Sequence, residues 1–388
     1  MPTPRRLAAL ATVICLTPTL GAPSALADRP GRHHAALARA PRTAETVLAE
    51  MSLRQKVGQL FMVGTPATSA ADGTKAAITR RHVGNVMLTG RSHGGTSAPA
   101  RVTQALQRRA DPDATDGVGL LVATDQEGGQ VQVLNGTGFS DMPSALQQGR
   151  WGPTRLRRSA GTWARQLGRA GVNMNLAPVE DTVPSARAAQ DNPPIGAYDR
   201  EFGYRVTVVA GHGRAFVQGM KAHGVVPTIK HFPGLGRVHA NTDTSSRVTD
   251  TVTTRHDAYL RPFATSIDAG VPAVMMSLAY YQRIDARNPA AFSARIIRTI
   301  LRGDLGFDGV VVSDDLAHAQ QVARWTPGAR AVRFIAAGGD LVLTVDPKTL
   351  PAMYTAVLRR AEQDADFRAR VQASARRILE LKQEQGLL

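Results

Sequence analysis

The 388-residue chain has one cysteine, Cys15, and only 5% aromatic residues. One thiol makes neither a disulfide framework nor a Cys-rich zinc cage, so packing alone must stabilise the fold. Aromatics this sparse, with arginines dispersed rather than interleaved among them, argue against a nucleic-acid groove. Acidic residues are also short: 31 Asp and Glu face 47 Lys and Arg, a net charge of +16. That field attracts polyanions such as anionic cell-wall polymers without naming one, and a solvated basic surface produces it equally well. Past the N-terminal segment no apolar run approaches the roughly 20 residues of a membrane span. No Gly-x-Gly-x-x-Gly turn follows the first strand-like run, no Gly-x-Ser-x-Gly elbow occurs, and no His-x-x-x-His spacing marks a zinc site. The sequence therefore calls for no dinucleotide, serine nucleophile, metal or other cofactor.

What is present begins with an export signal. Arg5 and Arg6 precede an apolar stretch from Leu7 to Leu16, and Ala25-Leu26-Ala27 is a small-x-small cleavage site. Residues 1–27 read as a signal peptide and the protein as secreted; cleavage after Ala27 removes Cys15. A lipid anchor on Cys15 is the competing reading, but Ile14 fills a position that wants a small residue. Residues 28–42 read as a polar, basic leader, in which His33-His34 lacks the acids or cysteines a metal would need.

From residue 43 a rhythm sets in. Aliphatic runs fall at 59–64, 83–90, 119–125, 172–181, 224–232, 272–280, 309–315 and 340–346. Helical periodicity covers 44–57, 98–110, 155–170, 200–222, 255–269, 293–303, 327–337, 348–363 and 366–385. The runs are apolar on both faces, the pattern of parallel strands covered by helices. Eight such units predict one α/β domain over 43–388, a closed (β/α)8 barrel of the TIM type, with a doubly wound open sheet as the rival.

Such barrels build their sites from the residues that follow each strand. Run three ends in Asp125 and Glu127, run four in Glu180-Asp181, run five in Lys230-His231, run seven in Asp314-Asp315 and run eight in Asp346. Any one of these acids alone is more often a helix cap. Acids from runs three and seven converging with a Lys-His pair make a pocket suited to sugar hydroxyls, with a carboxylate for an anomeric carbon.

MSLRQKVGQLFMVG, ATDQEGGQVQVL, NLAPVEDT, NPPIGAYDREFG, TIKHFPGLG, VVVSDDL and AAGGDLVL occur in this order. On these motifs the chain resembles the single-domain bacterial β-N-acetylglucosaminidases of glycoside hydrolase family 3, over nearly its full length after the leader. The resemblance implies a retaining glycosidase that releases β-linked N-acetylglucosamine or a related sugar. It makes Asp314 the nucleophile and puts Asp125, Arg200, Lys230 and His231 at sugar-binding positions. Asp315 is expected to cap the next helix or brace the loop.

One loop departs from the family. There Lys-His-Phe-Pro-Gly-His-Gly is followed by Asp-Ser-His, whose histidine, paired with the aspartate, is the general acid and base. Here Leu235, Asn241 and Asp243 replace the first histidine, the aspartate and the catalytic histidine. Three readings stand open: Asp243 is the acid and base, its pKa raised by burial or by Asp314; His239 swings in; or acid catalysis is lost, leaving a weakly active or non-catalytic sugar- or cell-wall-binding relative.

Overall fold

The computed structural model describes residues 42–388; the signal segment, Cys15 and the leader up to residue 41 lie outside the described residues. Eight parallel strands follow one another around the molecule: β1 (Phe61–Pro66), β2 (Asn85–Thr89), β3 (Leu121–Thr124), β4 (Met174–Asn175), β5 (Val226–Phe232), β6 (Ala273–Met276), β7 (Val310–Ser313) and β8 (Val342–Thr344). Each pairs with its neighbours in sequence, and β8 pairs with β1 through Phe61 opposite Val342. A parallel bridge between Val312 and Leu341 joins β7 to β8 and closes the ring. The rival open sheet is thereby excluded, since an open sheet leaves two unpaired edges. Each of the eight expected runs overlaps a strand of the barrel, β1 running two residues past the end of its run.

Helices enclose the strands: α1 (Ala44–Glu50), α2 (Leu53–Gln59), α3 (Asp72–Arg81), α4 (Ser97–Gln107), α5 (Pro153–Arg169), α6 (Val206–Lys221), α7 (Arg261–Asp268), α8 (Arg295–Asp304), α9 (Pro327–Ala337), α10 (Leu350–Gln363) and α11 (Ala365–Glu384). In α5, Leu156, Ala160, Trp163, Ala164 and Leu167 form one buried stripe at helical spacing. Trp163 packs on Phe216 of α6, with ring centroids 6.0 Å apart. Burying each such large side chain contributes roughly 1.5–3 kcal/mol.

The helices depart from expectation in several places; the one expected over 255–269, for example, begins only at Arg261. The stretch 44–57 is two helices, because the Ser52 hydroxyl and the Gln55 side chain form a capping box that starts a new helix after Met51. The helix expected over 200–222 begins at Val206, which leaves Arg200 on the preceding loop. Helix α3 was not anticipated: its buried face consists only of Thr74, Ala77 and Ile78, too little apolar contrast for a helical period to register.

Two small sheets cap the C-terminal ends of the strands. Gln126–Gly128 and Val131–Gln132 form a hairpin beyond β3. Thr249–Asp250, Tyr280–Tyr281 and Asp285–Pro289 form a three-stranded sheet beyond β5 and β6. At the other end, buried Asp340 accepts from Arg302, Arg377, Ser374 and the Val311 amide, tying α8 and α11 to the starts of β7 and β8. Lys382 of α11 is buried beneath the barrel and donates to Gln59 and to the Gly84 carbonyl. Burial without a counter-charge lowers its pKa to about 7.

Candidate active site

The strand ends frame a pocket of about 340 Å³. Its floor is apolar: Met87 of β2, Leu176 just after β4, Met275 of β6 and Leu343 of β8. Alternate strands contribute these four side chains, as the layered filling of a closed barrel requires. The walls are charged, with Asp125 after β3, Arg200, Lys230 and His231 from β5, Asp243, and Asp314 after β7. A larger cleft of about 710 Å³ opens at the opposite end. It gathers strand beginnings (Val226, Pro272, Val310) with interspersed charges of both signs and none of the convergent acids.

Two cations are held on one side of the pocket by an acid between them. Glu127 takes a bidentate pair of hydrogen bonds from Arg200, at 2.9 and 2.8 Å, and lies 2.6 Å from the Lys230 ammonium. Lys230 also donates to Asp125 at 2.6 Å, and Arg200 to the Pro194 carbonyl at 2.8 Å. Burial pushes the Glu127 carboxyl up, but the charges of Arg200 and Lys230 outweigh it and hold the pKa at about 2. Burial lowers the Lys230 pKa, and Asp125 and Glu127 outweigh that loss and raise it; Glu127 does the same for Arg200. All three are charged at neutral pH, and ionised donors and acceptors make the stronger hydrogen bonds to sugar hydroxyls.

His231 is oriented from below. Its Nδ1 donates to Asp181 at 2.7 Å, and Asp181 also accepts from the backbone amides of His231 at 3.1 Å and Leu235 at 2.8 Å. With Nδ1–H committed, Nε2 faces Arg200 at 3.5 Å and the pocket. Gly236 lets this turn pass under the β4 loop, since a Cβ there would meet the Thr182 carbonyl at 1.9 Å.

From sequence, Glu127 and Asp181 stand out only as acids at the ends of runs three and four, with no role attached to either. Glu127 was legible, because a strand's period of two puts Asp125 and Glu127 on one side. Replacing Glu127 by Gln breaks a buried ion pair and leaves two buried cations with one acid fewer. It is expected to cost roughly 3–5 kcal/mol, read from the denaturant midpoint, and to raise KM more than it lowers kcat.

The loop that carries Asn241 and Asp243 lies against the segment that follows β7. The Gln320 amide donates to the Asp243 carbonyl at 3.1 Å, and the Gln321 amide to the Thr242 carbonyl at 3.0 Å. Asn241 accepts the Asp243 amide at 2.9 Å, so the residue standing for the family's aspartate shapes the turn. Asp243 is exposed as a residue and is among the residues that line the pocket. Partial burial, and then the charge of Asp314, push its pKa up to about 6. Asp314 accepts the Asp315 amide at 2.8 Å. Asp315 spends its oxygens on the amides of Ala317, His318 and Val345, bracing the loop.

Asp125, Arg200, Lys230, His231, Asp243 and Asp314 thus come together at one pocket. His239 does not: it is exposed, outside the pocket lining, with Nδ1 3.2 Å from the Asp191 carbonyl. Leu235 is part of the buried core.

A closed parallel barrel whose strand ends gather carboxylates and buried cations around a sugar-sized pocket defines a glycosidase-type barrel enzyme. The family model described as "Glycosyl hydrolase family 3 N terminal domain" matches residues 52–381. The chain belongs to glycoside hydrolase family 3, in its β-N-acetylhexosaminidase branch. A β-hexosaminidase of Xanthomonas campestris pv. campestris is 32% identical over 312 residues, covering 78% of this chain and 88% of that one. The crystal structure of a β-N-acetylhexosaminidase from Beutenbergia cavernae superposes with a TM-score of 0.85 at 54% identity, covering 86% of this chain and 99% of that one. A family 3 β-N-acetylglucosaminidase from a Paenibacillus species gives 0.80 at 32% identity, covering 87% of this chain and 63% of that one.

Proposed function

We propose that the protein is an exported, retaining β-N-acetylhexosaminidase that releases terminal N-acetylglucosamine or a related sugar from cell-wall or chitin-derived oligosaccharides. The observation that carries the reading is that Asp243 and Asp314 line one pocket, with Asp243 raised to about 6 by burial and by Asp314. Two carboxylates whose environments separate their roles are what a retaining glycosidase uses.

Asp125, Lys230, Arg200 and His231 hold the sugar by its hydroxyls, with the ring over the apolar floor. The Asp314 carboxylate attacks the anomeric carbon as Asp243 gives its proton to the glycosidic oxygen. The C–O bond breaks, the aglycone leaves as an alcohol, and the sugar stays esterified to Asp314. Asp243, now a carboxylate, takes a proton from water; the hydroxide displaces Asp314 from the anomeric carbon and frees the sugar with its β configuration. A pKa near 6 lets Asp243 perform both transfers close to neutrality.

The test is hydrolysis of an aryl N-acetyl-β-glucosaminide followed by NMR. Turnover with the β-anomer appearing first is expected. No turnover, or the α-anomer first, overturns the reading. Export is supported by Arg5, Arg6 and the Ala25-Leu26-Ala27 site.

A further inference from the structure

The two carboxylates of the proposed mechanism stand on separate loops, and one buried side chain joins those loops. Residues 243–247 make an outward excursion in which Ser245 alone is half-buried and the others are exposed, while Thr242 and Val248 at its two ends are buried. Gln321, buried in the segment after β7, holds both ends. Its backbone amide donates to the Thr242 carbonyl at 3.0 Å; its side chain accepts from the Val248 amide at 2.9 Å and donates to the Val248 carbonyl at 3.0 Å. The Gln320 amide adds its bond to the Asp243 carbonyl. Within the excursion the Asn241 carbonyl accepts the Thr244 and Ser245 amides, so the loop is a wound turn hung from its two ends.

Gln321 can anchor that turn because its own segment is fixed. Asp315 accepts the amides of Ala317 and His318. Arg330 of α9, itself buried, donates to the carbonyls of Leu316, Ala317 and Trp325 at 2.7, 2.8 and 2.8 Å. The segment so held begins at Asp314, and one set of hydrogen bonds therefore runs from the loop of Asp314 to both ends of the loop of Asp243. An exposed turn with few buried contacts opens locally at little cost unless its ends are tied. Such opening would change the distance between the two carboxylates, on which both their electrostatic coupling and the reach of a proton donor depend.

We propose that Gln321 is a positioning residue for the reaction: it fastens Asp243 to the loop of Asp314, so that the two carboxylates keep one separation while the glycosidic bond is cut. The inference rests on the roles proposed above for Asp243 and Asp314 and adds the residue that sets their geometry. Gln321→Met tests it, since it keeps the length of the side chain and removes both bonds to Val248. The Val248 carbonyl keeps the Tyr280 amide at 2.9 Å, so only the Val248 amide is left unpaired. Gln321→Ala is the second variant and should show the same pattern; cooperative melting of either protein establishes that it is folded.

On an alkyl N-acetyl-β-glucosaminide, whose leaving group needs a proton, kcat/KM should fall about 10²-fold, through kcat and not KM. On the dinitrophenyl glycoside kcat/KM should barely change. The alkaline limb of the alkyl profile should move to lower pH, because a carboxyl drawn away from Asp314 and into water titrates nearer its ordinary value. In Asp243→Asn protein the Gln321 substitution should cost nothing further on the alkyl glycoside, as for two residues acting through one group. Amide hydrogen exchange over residues 242–248 should quicken, a reading that needs no turnover. Equal losses on the two glycosides with an unmoved limb, a full further loss in Asp243→Asn protein, or unchanged exchange overturns the inference. If Asp243→Asn itself fails to separate the two glycosides while exchange still quickens in Gln321→Met, the acid role of Asp243 falls and the anchoring of its loop by Gln321 stands.

Discussion

Asp314→Asn is expected to lower kcat/KM for an aryl N-acetyl-β-glucosaminide by ~10⁴-fold or more, about 5 kcal/mol of transition-state stabilisation. The carboxamide is isosteric and its oxygen still accepts the Asp315 amide, so the loop after β7 keeps its shape. What the proposed mechanism loses is its nucleophile, and with it the glycosyl-enzyme intermediate. An unchanged unfolding temperature would separate lost chemistry from lost structure. Azide added to Asp314→Gly should restore turnover and yield the α-glycosyl azide, because the small anion attacks from the face that Asp314 occupied. Undiminished activity of Asp314→Asn would remove this residue from the mechanism.

The second large effect concerns Asp243 and has a defined direction in pH. In the proposed mechanism the residue donates a proton in the first step, and its pKa in the folded protein is about 6 against an ordinary 3.8. For an alkyl leaving group, which needs protonation, kcat/KM should therefore fall about tenfold per unit as pH rises above 6. Asp243→Asn should abolish that limb and cost ~10²–10⁴-fold on the alkyl glycoside. A dinitrophenyl glycoside, whose leaving group departs without help, should lose far less in its first step.

On the Asp243→Asn substitution, stability near neutrality should move opposite to activity. A pKa raised on folding means that the unfolded chain ionises first, so the contribution of Asp243 is fully present below pH 3.8 and is lost as pH rises through about 6. Near neutrality its carboxylate is a charge the fold tolerates rather than favours. Asp243→Asn should raise the unfolding temperature at pH 7 and leave it unchanged at pH 3.5. A variant that loses activity while gaining neutral-pH stability would mark Asp243 as a residue kept for chemistry. A retained alkaline limb would assign the proton to another group.

The replacement of the family's histidine by Asp243 thus has a physical account. Histidine titrates near neutrality without help; aspartate must be brought there by its surroundings. Here the residue lines the same pocket as Asp314, whose charge adds to the effect of burial. The same surroundings explain why His239 has no part in the proposed mechanism. Its ring is exposed and turned to the Asp191 carbonyl, and proximity in sequence does not aim a side chain.

The sequence by itself determined the eight strands, their parallel order and the residues at their C-terminal ends, because apolar runs and turn residues are local signals. It made Asp125, Lys230, His231 and Asp314 candidates, since a barrel gathers whatever follows its strands. Helix α3 escaped because Thr74, Ala77 and Ile78 carry too little apolar contrast to set a period. Only the tertiary structure decided that Val312 bridges Leu341 and closes the ring, and that Glu127 sits between Arg200 and Lys230. It alone brought Asp243 to the pocket of Asp314, 71 residues further along the chain (314 − 243). The reason is that a pKa is set by desolvation and by charges within a few ångströms, and those neighbours are supplied by folding and not by adjacency along the chain.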